Sequence, residues 1–304
     1  MFYTDDESED QYTIPEAVAS RLVVPPAAET SQRRSRSLSL DGRRRSLTLS
    51  RQYWSNGTAD VFVIRGPDYL STGVKVAAAP PAFTLAGVDL FTVDAHHEHI
   101  AAHPASWLSR ARAVHRGRSA AMPAMICLQW MNPHAPGRFA RTSLSLYFTA
   151  ADGTTFANLV ARDGPLAAVL RRFFASSDQE RSRMVKLIPS LDQRSPALVR
   201  TFVPPRVPCL VGNSVRTITY CVPDAASPDY VEFDVDVGKS IIADRFFRHL
   251  FHRLCNRTVV DIALLLEGAR EDELPEHLLG VAHLEYVGPS LAVPLPHTIQ
   301  HRGH

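Results

Sequence analysis

A succession of short segments rich in β-branched and aromatic residues, each closed off by proline or glycine, restricts this chain to a sheet-based fold. They are DVFVIRG (60–66), PAMICLQWM (123–131), TSLSLYFTA (142–150), ALVRTFV (197–203), SVRTITYCV (214–222), DYVEFDVDV (229–237), TVVDIALLLE (258–267) and GVAHLEYV (280–287). The turn-rich NPHAPGR between the second and third predicts a hairpin with a long loop. Helical periods are fewer. PASWLSRARAVHR (104–116) and PLAAVLRRFFA (165–175) each open on a proline suited to a first helical turn. In 240–256, Ile242, Phe246, Leu250 and Leu254 repeat every four residues behind Ser240 as N-cap, with Phe247 and Phe251 widening the stripe. Arg245, Arg248 and Arg253 gather with His249 and His252 on its other side. Many strands with few helices give an α+β class. The expected architecture is a curved, mostly antiparallel sheet of about seven to nine strands packed on a few helices, with the long amphipathic helix gripped by the sheet.

The 304 residues are 45% hydrophobic and 21% charged, enough apolar material for a core. No apolar run approaches the length needed to span a bilayer, and the MFYTDDESED start is acidic where a secretory signal would be basic and then apolar. Cys127, Cys209, Cys221 and Cys255 form no CxxC pair and are expected as reduced thiols in a cytoplasmic protein. A net charge of +2 argues against a nucleic-acid partner. Residues 1–50, acidic and then Arg/Ser-rich, lack any period and are expected as a disordered tail, and 289–304 as a flexible C-terminal one. Ser37, Ser39 and Ser46 each follow an arginine by three residues, the spacing a basophilic kinase requires. Phosphate there would cancel the positive charge of the tail and weaken its attraction to anionic lipid.

Several blocks in order resemble one family: Trp54, VFVIRGPDYL (61–70), FTLAGVDLF (83–91), HIA (99–101), ERSRMVKLIPS (180–190), DYVEFDVDVGKSIIAD (229–244), VVDIALLLEG (259–268) and DELPEHLLGVAHLEYV (272–287). Over roughly 52–288 the chain is similar to the enhanced disease resistance two C-terminal domain, so 51–288 is the expected domain. In larger plant relatives this domain follows a phosphoinositide-binding PH domain and a lipid-binding START domain, in proteins that restrain defence signalling and cell death. The resemblance thus implies work at membranes and lipids, and it brings no known reaction. Neither of those domains is expected within the fifty residues ahead of the resemblance. Two departures stand out. The Gly–Trp pair usual after KLIP is replaced by LDQRSPALV, and CVPDAASPDY lengthens a turn.

Three site readings follow. Arg65 and Lys186, the family-matched cations, join Arg245, Arg248, Arg253 and Arg257 as candidates for contact with a lipid headgroup or membrane. Arg65 and Lys186 are equally suited to pairing with Asp89, Asp261 or Glu267 inside the fold. On 229–237, Glu232, Asp234 and Asp236 share one strand face about 7 Å apart, a spacing open to a metal or to acid/base work. The ordinary reading is a solvated face, or pairs with Arg200 and Arg216. His96, His97, His99 and His103 with Glu98 lack the HExxH order of a zinc helix. There is no GxSxG elbow and no phosphate-cradling loop, so no catalytic residue and no cofactor is expected. The expected function is a non-enzymatic lipid-binding or peripheral membrane-docking regulatory module on the cytosolic face of membranes. Its expected partners are an anionic membrane lipid or lipid ligand, protein partners, and a basophilic kinase on the tail. The alternatives are a protein-interaction scaffold and, second, a carboxylate-based metal-dependent hydrolase.

Overall fold

The structure is a computed structural model and describes residues 46–94, 97–115, 123–131, 141–202, 208–236 and 254–296. The amphipathic helix expected at 240–256, with Arg245, Arg248 and Arg253, falls almost wholly outside these residues, as do the 132–140 loop, Ser37, Ser39 and the tail to residue 45.

Strand alternation is cashed out as two open, mostly antiparallel sheets, so the α+β class holds and its strands are shared between two layers. The six-stranded sheet runs β13 (Val293–Pro294), β4 (Phe83–Val93), β6 (Arg141–Ala150), β5 (Met125–Met131), β10 (Tyr230–Asp236), β9 (Arg216–Val222). The five-stranded sheet runs β1 (Trp54–Asn56), β12 (Leu278–Glu285), β11 (Val259–Leu266), β7 (Val185–Leu191), β8 (Cys209–Leu210). A separate hairpin pairs β2 (Val63–Arg65) with β3 (Lys75–Ala77). Pairing is parallel only at β10–β5 and β13–β4 among the described strands.

Period-two alternation decides which face goes where. Leu85 and Val88 of β4, Leu146 and Phe148 of β6, Ile126 and Leu128 of β5, and Val231, Phe233 and Val235 of β10 turn inward. They meet Val185 and Leu187 of β7, Leu264 and Leu266 of β11, and Leu279, Ala282 and Leu284 of β12. Helix α4 (Pro165–Ala175) adds Val169, Leu170 and Phe173 to this core, and its opening Pro165 sits in the first turn as expected. The outer face of the five-stranded sheet is covered by the hairpin, through Phe62 and Ile64 against Ile188, Ala263, Leu265, Leu278 and Val281. The outer face of the six-stranded sheet is covered by residues 97–106 and α2 (Trp107–His115).

Three expectations are corrected. ALVRTFV is not a strand: Ala197–Phe202 form a short helix, α6, entered through Pro196, and a first-turn proline outweighs β-branched content in so short a run. The fold also extends past both expected tail boundaries. Thr48 bridges to Asp89 and Leu49 is buried with its N–H on Val88 O. At the other end, β13 pairs with β4 and the Leu295 N–H bonds Thr92 O.

The sheets approach so closely at Gly280 that a Cβ there would lie 2.5 Å from the Phe148 ring. Gly280→Ala should therefore destabilise the fold by about 1–3 kcal/mol, read as a lower urea midpoint at unchanged slope.

Candidate functional site

Cross-strand register assembles a polar row on the outer face of the six-stranded sheet. Asp234 lies opposite Gln129, Gln129 opposite Ser145, and Ser145 opposite Asp89, so four strands contribute one residue each. Glu232 starts the adjoining row with Cys127 and Tyr147. These side chains do not meet water: Asp89, Gln129, Ser145, Glu232 and Asp234 are each 0% exposed and Asp236 is 5% exposed. The solvated face expected for Glu232, Asp234 and Asp236 is thus overturned, because a strap of chain at 97–106 lies across it.

The strap has no strand partner for its backbone, and the buried carboxylates supply the acceptors. Asp234 accepts the His99 N–H at 2.7 Å, Glu232 the Ala101 N–H at 3.0 Å, and Asp89 the Trp107 N–H at 2.6 Å. Gln129 donates to His97 O at 2.8 Å. His99 adopts left-handed φ 56° and ψ 49°, which aims its N–H down at the sheet. That conformation costs about 1–2 kcal/mol in a non-glycine residue. The ring is held in return, stacked 4.2 Å from Tyr220 with Nε2 2.9 Å from the Tyr230 hydroxyl and 3.5 Å from Glu232. Trp107 closes the far end over Gly87, where a Cβ would lie 2.5 Å from the indole. Arg112 pairs with Asp229, and Arg110 lies 3.4 Å from Asp89. Arg216, expected beside the strand carboxylates, stands on β9 opposite Asp236 and also pairs with Glu98 at 2.7 Å.

Burial dominates the electrostatics. It raises Asp89 to about 6 against the pull of the Trp107 N–H and Arg110. Asp234 is raised to about 7, again by burial, with the His99 N–H opposing. Burial and then the Asp234 charge push Glu232 well above the usual carboxylate range, and the two carboxyls titrate as one coupled pair. Two coupled carboxyls beside an imidazole and a phenol form an acid/base set in composition. Both carboxyls are fully buried and engaged with strap N–H groups, so no substrate reaches them while the strap is in place. Among the described residues no group of three or more His, Cys, Asp or Glu side chains is placed to hold a metal ion.

The two family-matched cations meet at the root of the hairpin. Lys186 lies on the outer face of β7 beside Leu265, 4% exposed, with Nζ 2.5 Å from Glu276 and 3.9 Å from Glu267. Burial lowers its pKa while Glu276 holds it up. Arg65 pairs with Glu267 at 2.7 Å and donates to Gly268 O at 2.8 Å, while its backbone N–H donates to Glu276 at 3.1 Å. Asp89 and Asp261, the other partners considered for these cations, are instead beside Arg110 and His283. Arg257 is exposed, and so is Ser46.

From this pinned root the hairpin projects a tip, Gly66–Val74. Gly66 permits the closure, since a Cβ there would stand 2.9 Å from Val74 O. Helix α1 (Tyr69–Thr72) ends on Gly73 at φ 67°. Leu70 is 49% and Val74 58% exposed, Val63 is exposed on the adjoining strand, and neighbouring Lys75 makes no ion pair among the described residues. Sequence reasoning named none of these apolar residues, although Leu70 lies in a family-matched block.

The family model described as Protein ENHANCED DISEASE RESISTANCE 2, C-terminal, matches residues 54–288, from β1 to just beyond β12. Among curated proteins, the chain is 26% identical over 247 residues to Protein ENHANCED DISEASE RESISTANCE 2-like of Arabidopsis thaliana. The match covers 80% of this chain and 30% of that relative. No solved structure matches.

Two outcomes test the site. A carboxyl raised on folding binds its proton more readily in the folded state, so its contribution is full below the ordinary aspartate value of 3.8 and is lost progressively as pH climbs to about 6 for Asp89 and about 7 for Asp234. The Tm difference between Asp234→Asn and the parent should therefore be more positive at pH 8.5 than at pH 5. A difference independent of pH would show that Asp234 does not carry this cost. Separately, Lys186→Met should lose about 3–5 kcal/mol by stranding Glu276, and Lys186→Met/Glu276→Gln should recover part of it in chemical denaturation.

Proposed function

The chain belongs to the ENHANCED DISEASE RESISTANCE 2 C-terminal family, and from that premise we propose that it is a non-catalytic regulatory domain that docks peripherally on anionic membranes. The observation that carries this reading is the hairpin tip. Apolar Leu70, Val74 and Val63 are offered to solvent beside Lys75, which has no ion pair among the described residues, on a root fixed by Arg65, Lys186, Glu267 and Glu276. Solvent-facing apolar side chains on a rigid projection suit insertion at the headgroup boundary, and a lysine at that depth adds about 1 kcal/mol toward anionic lipid. Asp68 at the tip opposes part of that charge, so apolar insertion leads and charge assists.

Peripheral contact is the mode in keeping with the described helices, none of which is long and apolar enough to cross a membrane. The exposed Arg257 and the Arg/Ser-rich tail are the further cations of this proposal, with Arg245, Arg248 and Arg253 from the segment outside the described residues. A basophilic kinase acting on Ser37, Ser39 and Ser46 would weaken the tail's share by adding negative charge. Arg65 and Lys186 serve in it by holding the hairpin.

Co-sedimentation of the full chain with phosphatidylcholine vesicles of increasing phosphatidylserine content tests the proposal. Binding should rise with the anionic fraction, and Leu70→Asp/Val74→Asp should weaken it at least about tenfold while leaving the Tm near that of the parent. A double variant that binds like the parent would remove the hairpin from the membrane. A parent that sediments with no vesicle would turn the tip into a surface for protein partners.

A further inference from the structure

An open groove lies away from both the strap and the hairpin. Helix α3 (Phe156–Val160) and α4 form one side, and the 225–228 turn between β9 and β10 forms the other. Phe156, Val160 and Phe174 supply the first wall, with the two phenyl rings meeting edge-on at 5.4 Å. Ala225, Ala226 and Pro228 supply the second. The groove stays open because its second wall is built from side chains too short to reach the rings, and it encloses about 290 Å³.

Among the described residues that line this groove, one is charged. Arg171 is exposed and donates through Nη1 to Val160 O at 2.7 Å and Arg162 O at 3.1 Å, which pins its guanidinium to the end of α3. Its Nε and Nη2 hydrogens meet no acceptor, and no carboxylate pairs with it, among the described residues. Arg162 likewise has no carboxylate partner there; its Nη2 reaches only Thr154 at 3.4 Å. An apolar slot with an arginine fork unspent at its edge is complementary to a molecule with an alkyl chain and a small anionic head. The volume is at the low end of the roughly 300–1,000 Å³ typical of small-molecule sites, which suits one chain rather than a sterol or a two-chain lipid.

We infer that this groove binds a single-chain anionic amphiphile, its alkyl chain against Phe156 and Phe174 and its carboxylate or phosphate on Arg171. The inference rests on the lipid reading of the domain but uses a different surface from the hairpin, so the two fail separately. Titration calorimetry of the full chain is run with monomeric dodecanoate and with the twelve-carbon lysophosphatidate, each below its aggregation concentration. Saturable binding of at least one is expected, and the tighter of the two identifies the headgroup. Ala226→Phe, which fills the slot from an exposed turn, should abolish it. Arg171→Gln should weaken the anionic probe about tenfold without changing the affinity for neutral dodecanol, and Arg171→Lys should restore part of the loss. Leu70→Asp/Val74→Asp should bind the amphiphile like the parent, and Ala226→Phe should still sediment with vesicles. No binding of either probe by the parent, or equal binding by Ala226→Phe, overturns the inference whatever the vesicles show. Amphiphile binding without sedimentation sustains it and rejects the docking reading instead.

Discussion

The His99 and Ala101 N–H groups of a strandless strap, and the Trp107 N–H at the start of α2, reach down to three buried carboxylates, and the outer half of the molecule is organised around that contact. The six-stranded sheet is covered on both faces, so one set of alternate positions must face a second layer rather than water. A second layer made of helix would hide its own amides. The strap is irregular backbone and exposes them, so each needs an acceptor or costs about 1–3 kcal/mol. Asp89, Glu232 and Asp234 provide those acceptors from β4 and β10, with Gln129 between them. Burial of the carboxylates is the opposing cost, visible in the raised pKa values of all three. The His99, Ala101 and Trp107 amides offset part of it, since each of these hydrogen bonds favours the ionised carboxylate.

The same logic accounts for the cations. Lys186 stands at an outward position of β7, under the hairpin and among Ile188, Ala263 and Leu265. An ammonium in such surroundings requires a partner, and Glu276 comes from the segment leading into β12 to meet it. Arg65 ties that carboxylate and Glu267 to the hairpin strand itself. The charges that the family match singles out are therefore the fastening of a projecting element. What the element presents outward is apolar.

Strand identity was largely legible because β-branched and aromatic runs with alternation seldom form anything else, and β5, β6, β9, β10, β11 and β12 are all found at their expected places. Strands β4 and β7 were visible only as conserved-looking blocks within the family resemblance, since GVDLF and KLIP interrupt the period with glycine and proline. The failure at β10 is more informative. Glu232, Asp234 and Asp236 alternate with valine and phenylalanine in the pattern of a half-exposed strand, and alternation reports polarity, not water. Whether a polar face is wet or covered depends on a strap more than a hundred residues away in sequence, as the His99–Asp234 bond shows. No local signal carries that. The Arg65–Glu267 pair is among the alternatives legible in the sequence, because a charge beside an apolar core needs a counter-charge; Glu276, set in a loop, is not.

These arrangements set the two sheets face to face. Their inner faces share one core, and their outer faces lie under the strap on one side and the hairpin on the other. At Glu232 and Asp234 a catalytic site would need an opening through the strap, and there the cover is fastened by the very carboxyls that would do the chemistry. The covers and the helices at the edge of the sheets offer surface for partners. Leu70 and Val74 lie on a cover, and Phe156, Phe174 and Arg171 on an edge. A domain built this way can change what it touches by altering a hairpin tip or a single turn, at no cost to the polar rows that hold the sheets together.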